Sequence, residues 1–193
     1  MSKSRLEAFS DGVIAVIITI MVLEMKTPHG TDAASLAPVL PIFLTYVLSF
    51  VFVGIYWNNH HHLCHAVHHV NGASLWANLH LLFWLSLVPF VTGWMGESHF
   101  APLPVTAYGG VLLGAAFAYY LLTRMLLRIH AKDSLLARAL GHDLKGKISL
   151  VIYAVAIALA FVQPLISCAL YVVVAAIWLC PDPRFEKLFD RQS

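Results

Sequence analysis

Residues 9–24 of the chain read Phe-Ser-Asp-Gly-Val-Ile-Ala-Val-Ile-Ile-Thr-Ile-Met-Val-Leu-Glu. Thr19 is the only polar residue between Gly12 and Glu24, and a helix of about 20 mostly apolar residues crosses the hydrocarbon core of a bilayer. The stretch lacks the small-residue cleavage site of a signal peptide and carries acidic residues near its ends. We therefore predict a retained membrane-spanning helix over residues 9–25.

The rest of the chain has the same apolar character. Of its 193 residues, 60% are apolar and 11% are charged, which excludes an ordinary soluble domain. The net charge of +2 gives no basis for nucleic-acid binding. No linker-like segment divides the chain, so we predict one all-α membrane domain over residues 1–193. Apolar runs predict six transmembrane helices in all, and the five after the first are residues 36–57, 74–95, 105–127, 147–162 and 164–180. A break at Gln163-Pro164 separates the last two.

The basic residues predict the orientation of these spans. With both termini in the cytoplasm, eleven of the twelve Lys and Arg residues lie on the cytoplasmic side, and Lys26 alone lies outside. Short cytoplasmic loops carry such an excess of basic residues. The asymmetry requires an even number of spans.

Two polar residues stand at the start of the first apolar run. An ionised carboxylate in a membrane helix is costly unless it is paired, so Asp11 needs a partner. One reading makes Ser10 or Asp11 a cap of the helix N-terminus, where free N–H groups and the helix dipole favour such side chains. The other reading makes Asp11 part of a polar cluster that joins this helix to another.

Helical spacing aligns apolar residues along one face of the first helix. This apolar stripe consists of Phe9, Val13, Val16, Ile20 and Leu23. Asp11 lies about 140° around the helix from Val16, so it points away from the stripe. Thr19 lies about 60° off the stripe, where its hydroxyl either bonds back to the carbonyl of Ala15 or reaches the surface that the stripe faces. Such stripes usually face other helices or lipid, and a pore is the third possibility.

The N-terminal motif resembles that of a known family. The motif, which precedes a long β-branched helix ending in Leu-Glu, consists of Arg5, Phe9, Ser10 and Asp11. It is similar to the motif of the transmembrane protein 175 potassium-channel family, in particular its single-repeat bacterial members. The resemblance covers the first half of the chain and extends to Tyr56-Trp57 with His60 and His61, Asn78-Leu79, Pro89-Phe90 and Gly96-Glu97.

The resemblance implies a potassium-preferring cation channel that conducts passively. Such proteins are homotetramers whose first helices line a central pore, with apolar side chains at its narrowest part. The implied constriction falls on Val16, with further layers at Ile20 and Leu23, and Thr19 matches a position credited with contacting ions. Relatives often carry isoleucine or leucine at the first layer, so the smaller Val16 implies either a wider gate or Ile20 as the tightest ring.

The family also implies a setting and a set of polar partners. It implies a multi-pass protein of a prokaryotic plasma membrane, surrounded by lipid, with permeant potassium or other monovalent cations and no cofactor. A polar cluster that ties the first helix in place, and that makes conduction pH-sensitive, is implied for Arg5, Ser10, Asp11 and Trp57 with His60 or His61. A nearby carboxylate favours the protonated form of such a histidine.

The segment from His60 to His69 contains six of the eleven histidines. Helical spacing puts His61, His65 and His68 on one face, and such intervals can hold zinc or nickel. The tract itself contains no carboxylate and one thiol, Cys64, so we expect no dedicated metal site. The alternative function is nevertheless a histidine-dependent transition-metal transporter or metal-binding membrane protein. No phosphate-binding loop or nucleophile triad is present in the sequence, so we expect no enzyme.

Overall fold

The structure is a computed structural model that describes residues 2–130 and 144–179, and these residues form an all-α protein. A short 3-10 turn, Ala33–Leu36, precedes the second helix. The α-helices of the described residues are α1 Lys3–Leu23, α2 Leu40–His65, α3 Gly72–Ser86, α4 Val88–Glu97, α5 Pro102–Arg128, α6 Leu144–Leu159 and α7 Pro164–Leu179.

Four stretches of the described residues are long and apolar enough to cross a membrane: Lys3–Leu23, Leu40–His65, Gly72–Glu97 and Pro102–Arg128. The chain is thus a multi-pass membrane protein. The regions predicted as the fifth and sixth spans contain α6 and α7, each of only 16 residues, or about 24 Å of helix. Their crossing of the membrane stays a prediction. The predicted break between them lies where α6 ends and α7 begins at Pro164.

The predicted orientation stays a prediction. Five of the eleven basic residues assigned to the cytoplasm lie outside the described residues, namely Lys132, Arg138, Arg184, Lys187 and Arg191. We use two neutral names for the ends of the bundle. The histidine end is where α1 begins, α2 ends and α3 begins. The opposite end is where α1 ends and α4 ends.

The third predicted span, residues 74–95, is not a single helix. The helix is interrupted at Leu87, between α3 and α4, and Pro89 lies two residues into α4. Proline has no N–H group and its ring clashes with the carbonyl four residues earlier, here that of Leu85, so the regular ladder stops there. The amide of Leu87 instead bonds the carbonyl of Trp84, at 3.2 Å.

α5 is the central helix of the bundle and packs against α3, α4 and α6. Gly114 leaves room for a large ring on α3, because a Cβ atom there would lie 2.4 Å from Cδ2 of Trp84. The hydroxyl of Ser49 on α2 lies 2.6 Å from that of Thr92 and 2.9 Å from that of Tyr108. All three side chains are buried, and pairing them avoids the cost of an unsatisfied polar group in an apolar interior.

Candidate functional site

One face of α1 is packed into the bundle and the opposite face is open. α1 packs chiefly against α2, α3 and α4. Its buried residues recur at helical spacing: Leu6, Ser10, Ile14, Ile17 and Met21. On the open face the exposed fractions are 54% for Val16, 42% for Ile20 and 78% for Leu23. The apolar stripe, with Val13 half-buried, is therefore the uncovered face of α1.

A groove of about 800 Å³ runs along this face. Its first wall is α1, from Ala8 to Glu24, and includes Val16 and Ile20. Its second wall comes from the interruption between α3 and α4, with Ser86, Pro89 and Phe90. Phe90 is 64% exposed, so both walls of the groove are mainly apolar. An apolar groove of this size in a membrane protein accepts either lipid or another helix.

Thr19 lies beside the stripe and is exposed. Its hydroxyl donates to the carbonyl of Val16 at 2.9 Å and lies 3.2 Å from that of Ala15. The hydroxyl proton is therefore used within α1, as the back-bonding alternative predicts. The lone pairs of the oxygen remain as acceptors on the open side of the helix.

Asp11 and Trp57 join α1 to α2. The indole Nε1–H of Trp57 donates to Oδ1 of Asp11 at 3.0 Å. Asp11 is half-buried and lies away from the open face. Asp11 thus binds a neighbouring helix instead of capping its own, because α1 begins eight residues earlier, at Lys3.

Ser10 belongs to a second, buried chain of hydrogen bonds. Asn78 on α3 donates through Nδ2 to Oγ of Ser10 at 2.9 Å, and its Oδ1 lies 2.8 Å from Nε2 of His60 on α2. The hydroxyl of Ser10 in turn donates to the carbonyl of Leu6 at 2.8 Å. An amide oxygen only accepts hydrogen bonds, so His60 carries its proton on Nε2. This chain ties α1, α2 and α3 together.

The predicted polar cluster is thus divided into separate sets. Arg5 is exposed, and its side chain makes no hydrogen bond or ion pair with any described residue. His61 faces Glu7, with Nδ1 3.7 Å from Oε1, and not Asp11. Asn78 was part of the sequence motif, but its place in the polar cluster was not predicted from the sequence. A lone amide side chain in an apolar span is the signal that would have found it.

The histidine tract continues α2 further than predicted. The second span was predicted to end at residue 57, yet α2 runs to His65, so several of the histidines expected in a loop are helical. His61, His65 and His68 do not share a helix face, because His68 lies beyond the last turn. The backbone N–H of His68 donates instead to Nε2 of His130, at 3.0 Å.

At the opposite end of the bundle, charged residues follow α1, and one of them lines the groove. Nζ of Lys26 lies 2.7 Å from Oε1 of Glu97. The pKa of Lys26 is raised because its ammonium donates to this carboxylate and lies in its field. Glu24 is exposed and lines the groove, and its side chain lies against Gly93, where a Cβ atom would be 3.2 Å from Oε2.

Comparisons with known proteins point to one family. The family model of the endosomal/lysosomal potassium channel TMEM175 matches residues 5–89. A potassium channel of Chryseobacterium sp. (strain P1-3) is 55% identical over 97% of this chain and 97% of its own length. A potassium channel of Chamaesiphon minutus is 31% identical over 89% of this chain and 90% of its own. The crystal structure of a lysosomal potassium-selective channel TMEM175 homologue from Chamaesiphon minutus superposes with a TM-score of 0.76 at 28% identity, covering 92% and 96% of the two chains.

Proposed function

The chain belongs to the TMEM175 potassium channel family, and on that premise we propose that it is a potassium-preferring cation channel, not an enzyme. Its pore is formed by the first helices of four copies. The observation that carries this proposal is the uncovered apolar face of α1, with Val16, Ile20 and Leu23 all exposed. One chain has this face on its surface, so a closed pathway requires further copies around an axis. The narrow layers of that pathway are Val16, Ile20 and Leu23.

The second wall of the groove supports assembly. Phe90, which follows the interruption of the third span and is exposed, presents an apolar surface beside the stripe. In a tetramer, the neighbouring subunit covers this surface, while the stripe itself turns toward the axis. Helix association in a membrane relies on such close packing, because lipid is as apolar as the side chains.

A ring of apolar side chains filters ions by dehydration. Such a constriction closes by dewetting, and an ion passes when it sheds part of its water at low cost. Potassium holds its hydration shell less tightly than sodium, so dehydration favours potassium. Thr19 contributes at the edge of the constriction, because its hydroxyl proton is bonded to Val16 and its oxygen faces outward as an acceptor.

The hydrogen bonds behind α1 hold the pore-lining face in register. The Trp57–Asp11 bond fixes α1 to α2, and the Asn78 amide fixes it to α3 through Ser10. A rotation of α1 that moved the stripe off the axis would break both.

The remaining features follow the family. We place the protein in the plasma membrane of a prokaryote, as one channel domain of residues 1–193 with both termini cytoplasmic. α6 and α7 supply the fifth and sixth spans. Potassium and other monovalent cations are the permeant species, and the channel needs no cofactor.

Flux into liposomes tests the proposal. Val16→Asn adds an amide to the constriction, so we expect faster cation flux and a lower preference for potassium over sodium. Ile20→Ala widens the next layer, and we expect it to change flux and selectivity in the same directions. Val22→Asn is the matched control, because Val22 is 43% exposed on α1 but lies about 120° from Val16. If neither pore variant alters rate or selectivity, or if Val22→Asn alters them equally, the stripe is not the filter.

A further inference from the structure

Two histidines of α2 and a carboxylate of α1 meet at the histidine end. The donor atoms of Glu7, His61 and His65 all lie within 4.8 Å of one another. Oε1 of Glu7 is 3.7 Å from Nδ1 of His61, and the rings of His61 and His65 have centroids 4.7 Å apart. We propose that these three side chains form a binding site for a divalent transition metal ion of the zinc class, which bridges the first and second helices.

The donor set suits zinc. His and carboxylate ligands bind zinc at about 2.0–2.2 Å, which puts tetrahedral ligands about 3.4 Å apart. The three donors therefore need to close by little more than 1 Å, within the reach of side-chain rotation. Two imidazole nitrogens disfavour magnesium and calcium, which take oxygen ligands. A fourth position stays open to water.

The site is accessible to ions from solution. The side chains of Glu7 and His61 are 24% and 40% exposed, and His65 is exposed. No Lys or Arg among the described residues lies within ion-pair distance of Glu7, so no fixed cation there competes with a metal.

Two other possible metal ligands on α2 do not take part in this site. His60 is buried and engaged with Asn78, and the thiol of Cys64 is buried and lies 3.7 Å from Nδ1 of His60. The soft thiol that would attract copper(I) is therefore turned away from the cluster. The carboxylate that the histidine tract lacks in sequence comes from α1 through the packing of two helices.

The bridge joins the first turns of the proposed pore helix to the last turn of α2. A bound ion resists displacement of α1 relative to α2, so we expect zinc to reduce potassium flux. This effect on flux rests on the proposed function, whereas the binding itself does not.

Zinc titration by calorimetry tests the binding. The protein is purified without a histidine tag and compared with Glu7→Gln, His65→Gln and the control His69→Gln, which removes an exposed histidine of the same tract. We expect one zinc per chain, at least tenfold weaker binding in Glu7→Gln and in His65→Gln, and unchanged affinity in His69→Gln. Unchanged affinity in Glu7→Gln, or an equal loss in His69→Gln, overturns the site and indicates adventitious binding by the tract.

Potassium flux with zinc on both sides of the liposome tests the bridge. We expect zinc to slow flux in the wild type and in His69→Gln, with at least tenfold more zinc needed in Glu7→Gln. Equal inhibition of Glu7→Gln places the inhibitory ion elsewhere and overturns the regulatory part. Specific zinc binding without any potassium flux would instead overturn the channel proposal and leave the metal site standing.

Discussion

Replacing Asn78 with leucine is the sharpest test of how α1 is held. The substitution keeps the branched skeleton of four side-chain heavy atoms and removes both amide bonds, 2.9 Å to Oγ of Ser10 and 2.8 Å to Nε2 of His60. Asn78 is 2% exposed, and both partners are fully buried. Water therefore has no direct access to the groups that lose a partner.

The cost falls mainly on His60. Its Nε2–H group would face an apolar side chain, and a buried donor without an acceptor costs about 1–3 kcal/mol. Ser10 loses little, because its hydroxyl still donates to the carbonyl of Leu6. Hydrogen bonds between membrane helices average about 0.6 kcal/mol in measured cycles. Together these values predict a loss of about 2 kcal/mol, or roughly a 30-fold shift of the unfolding equilibrium.

The free energy of unfolding in mild detergent measures this loss. Asn58→Leu is the control, because Asn58 is an exposed residue of α2, and we expect its effect to stay within about 0.5 kcal/mol. The double variant Asn78→Leu with His60→Phe removes both buried partners and should recover much of the loss. If Asn78→Leu is as stable as Asn58→Leu, or if the double variant loses the sum of the single effects, the chain of bonds does not hold α1.

Three further changes have definite expected outcomes. Gly114→Ala would place a methyl group 2.4 Å from an indole carbon of Trp84 on α3, and it should destabilise the protein by about 1–3 kcal/mol in the same unfolding assay. Gly110→Ala is its control, because open space surrounds Gly110, and it should be neutral or stabilise the protein by up to about 1 kcal/mol. Trp57→Phe loses the bond to Asp11 and should lower stability by about 1 kcal/mol; an unchanged unfolding curve would show that this exposed bond adds nothing. Thr19→Val removes a hydroxyl that is bonded only within α1, so the stability of the protein should not change. The potassium-to-sodium flux ratio should fall about fivefold, which corresponds to the loss of one ion contact of about 1 kcal/mol. An unchanged flux ratio would exclude an ion contact at this position.

Local patterns were sufficient to predict where helices form and which residues share one face of α1, whereas the structure showed that this face is open. Hydropathy located the helices of the described residues, with α3 and α4 merged into one span, because an apolar run long enough to enter a bilayer must satisfy its backbone internally. Helical spacing predicted that Val16 and Ile20 share a face with Asp11 pointing elsewhere, since that geometry depends on the helix alone. The ends of α2 and the interruption at Leu87 were not predicted. Pro89 was the sequence signal for the interruption.

The sequence by itself determined that this is an all-α membrane protein, and its motif and relatives established the family. Only the tertiary structure decided which polar groups meet. It separated Asp11–Trp57 from the Ser10, Asn78 and His60 chain, and it brought Glu7 to His61 from another helix. The physical reason is that spacing along one helix specifies directions around that helix, while partners across an interface depend on how two helices pack.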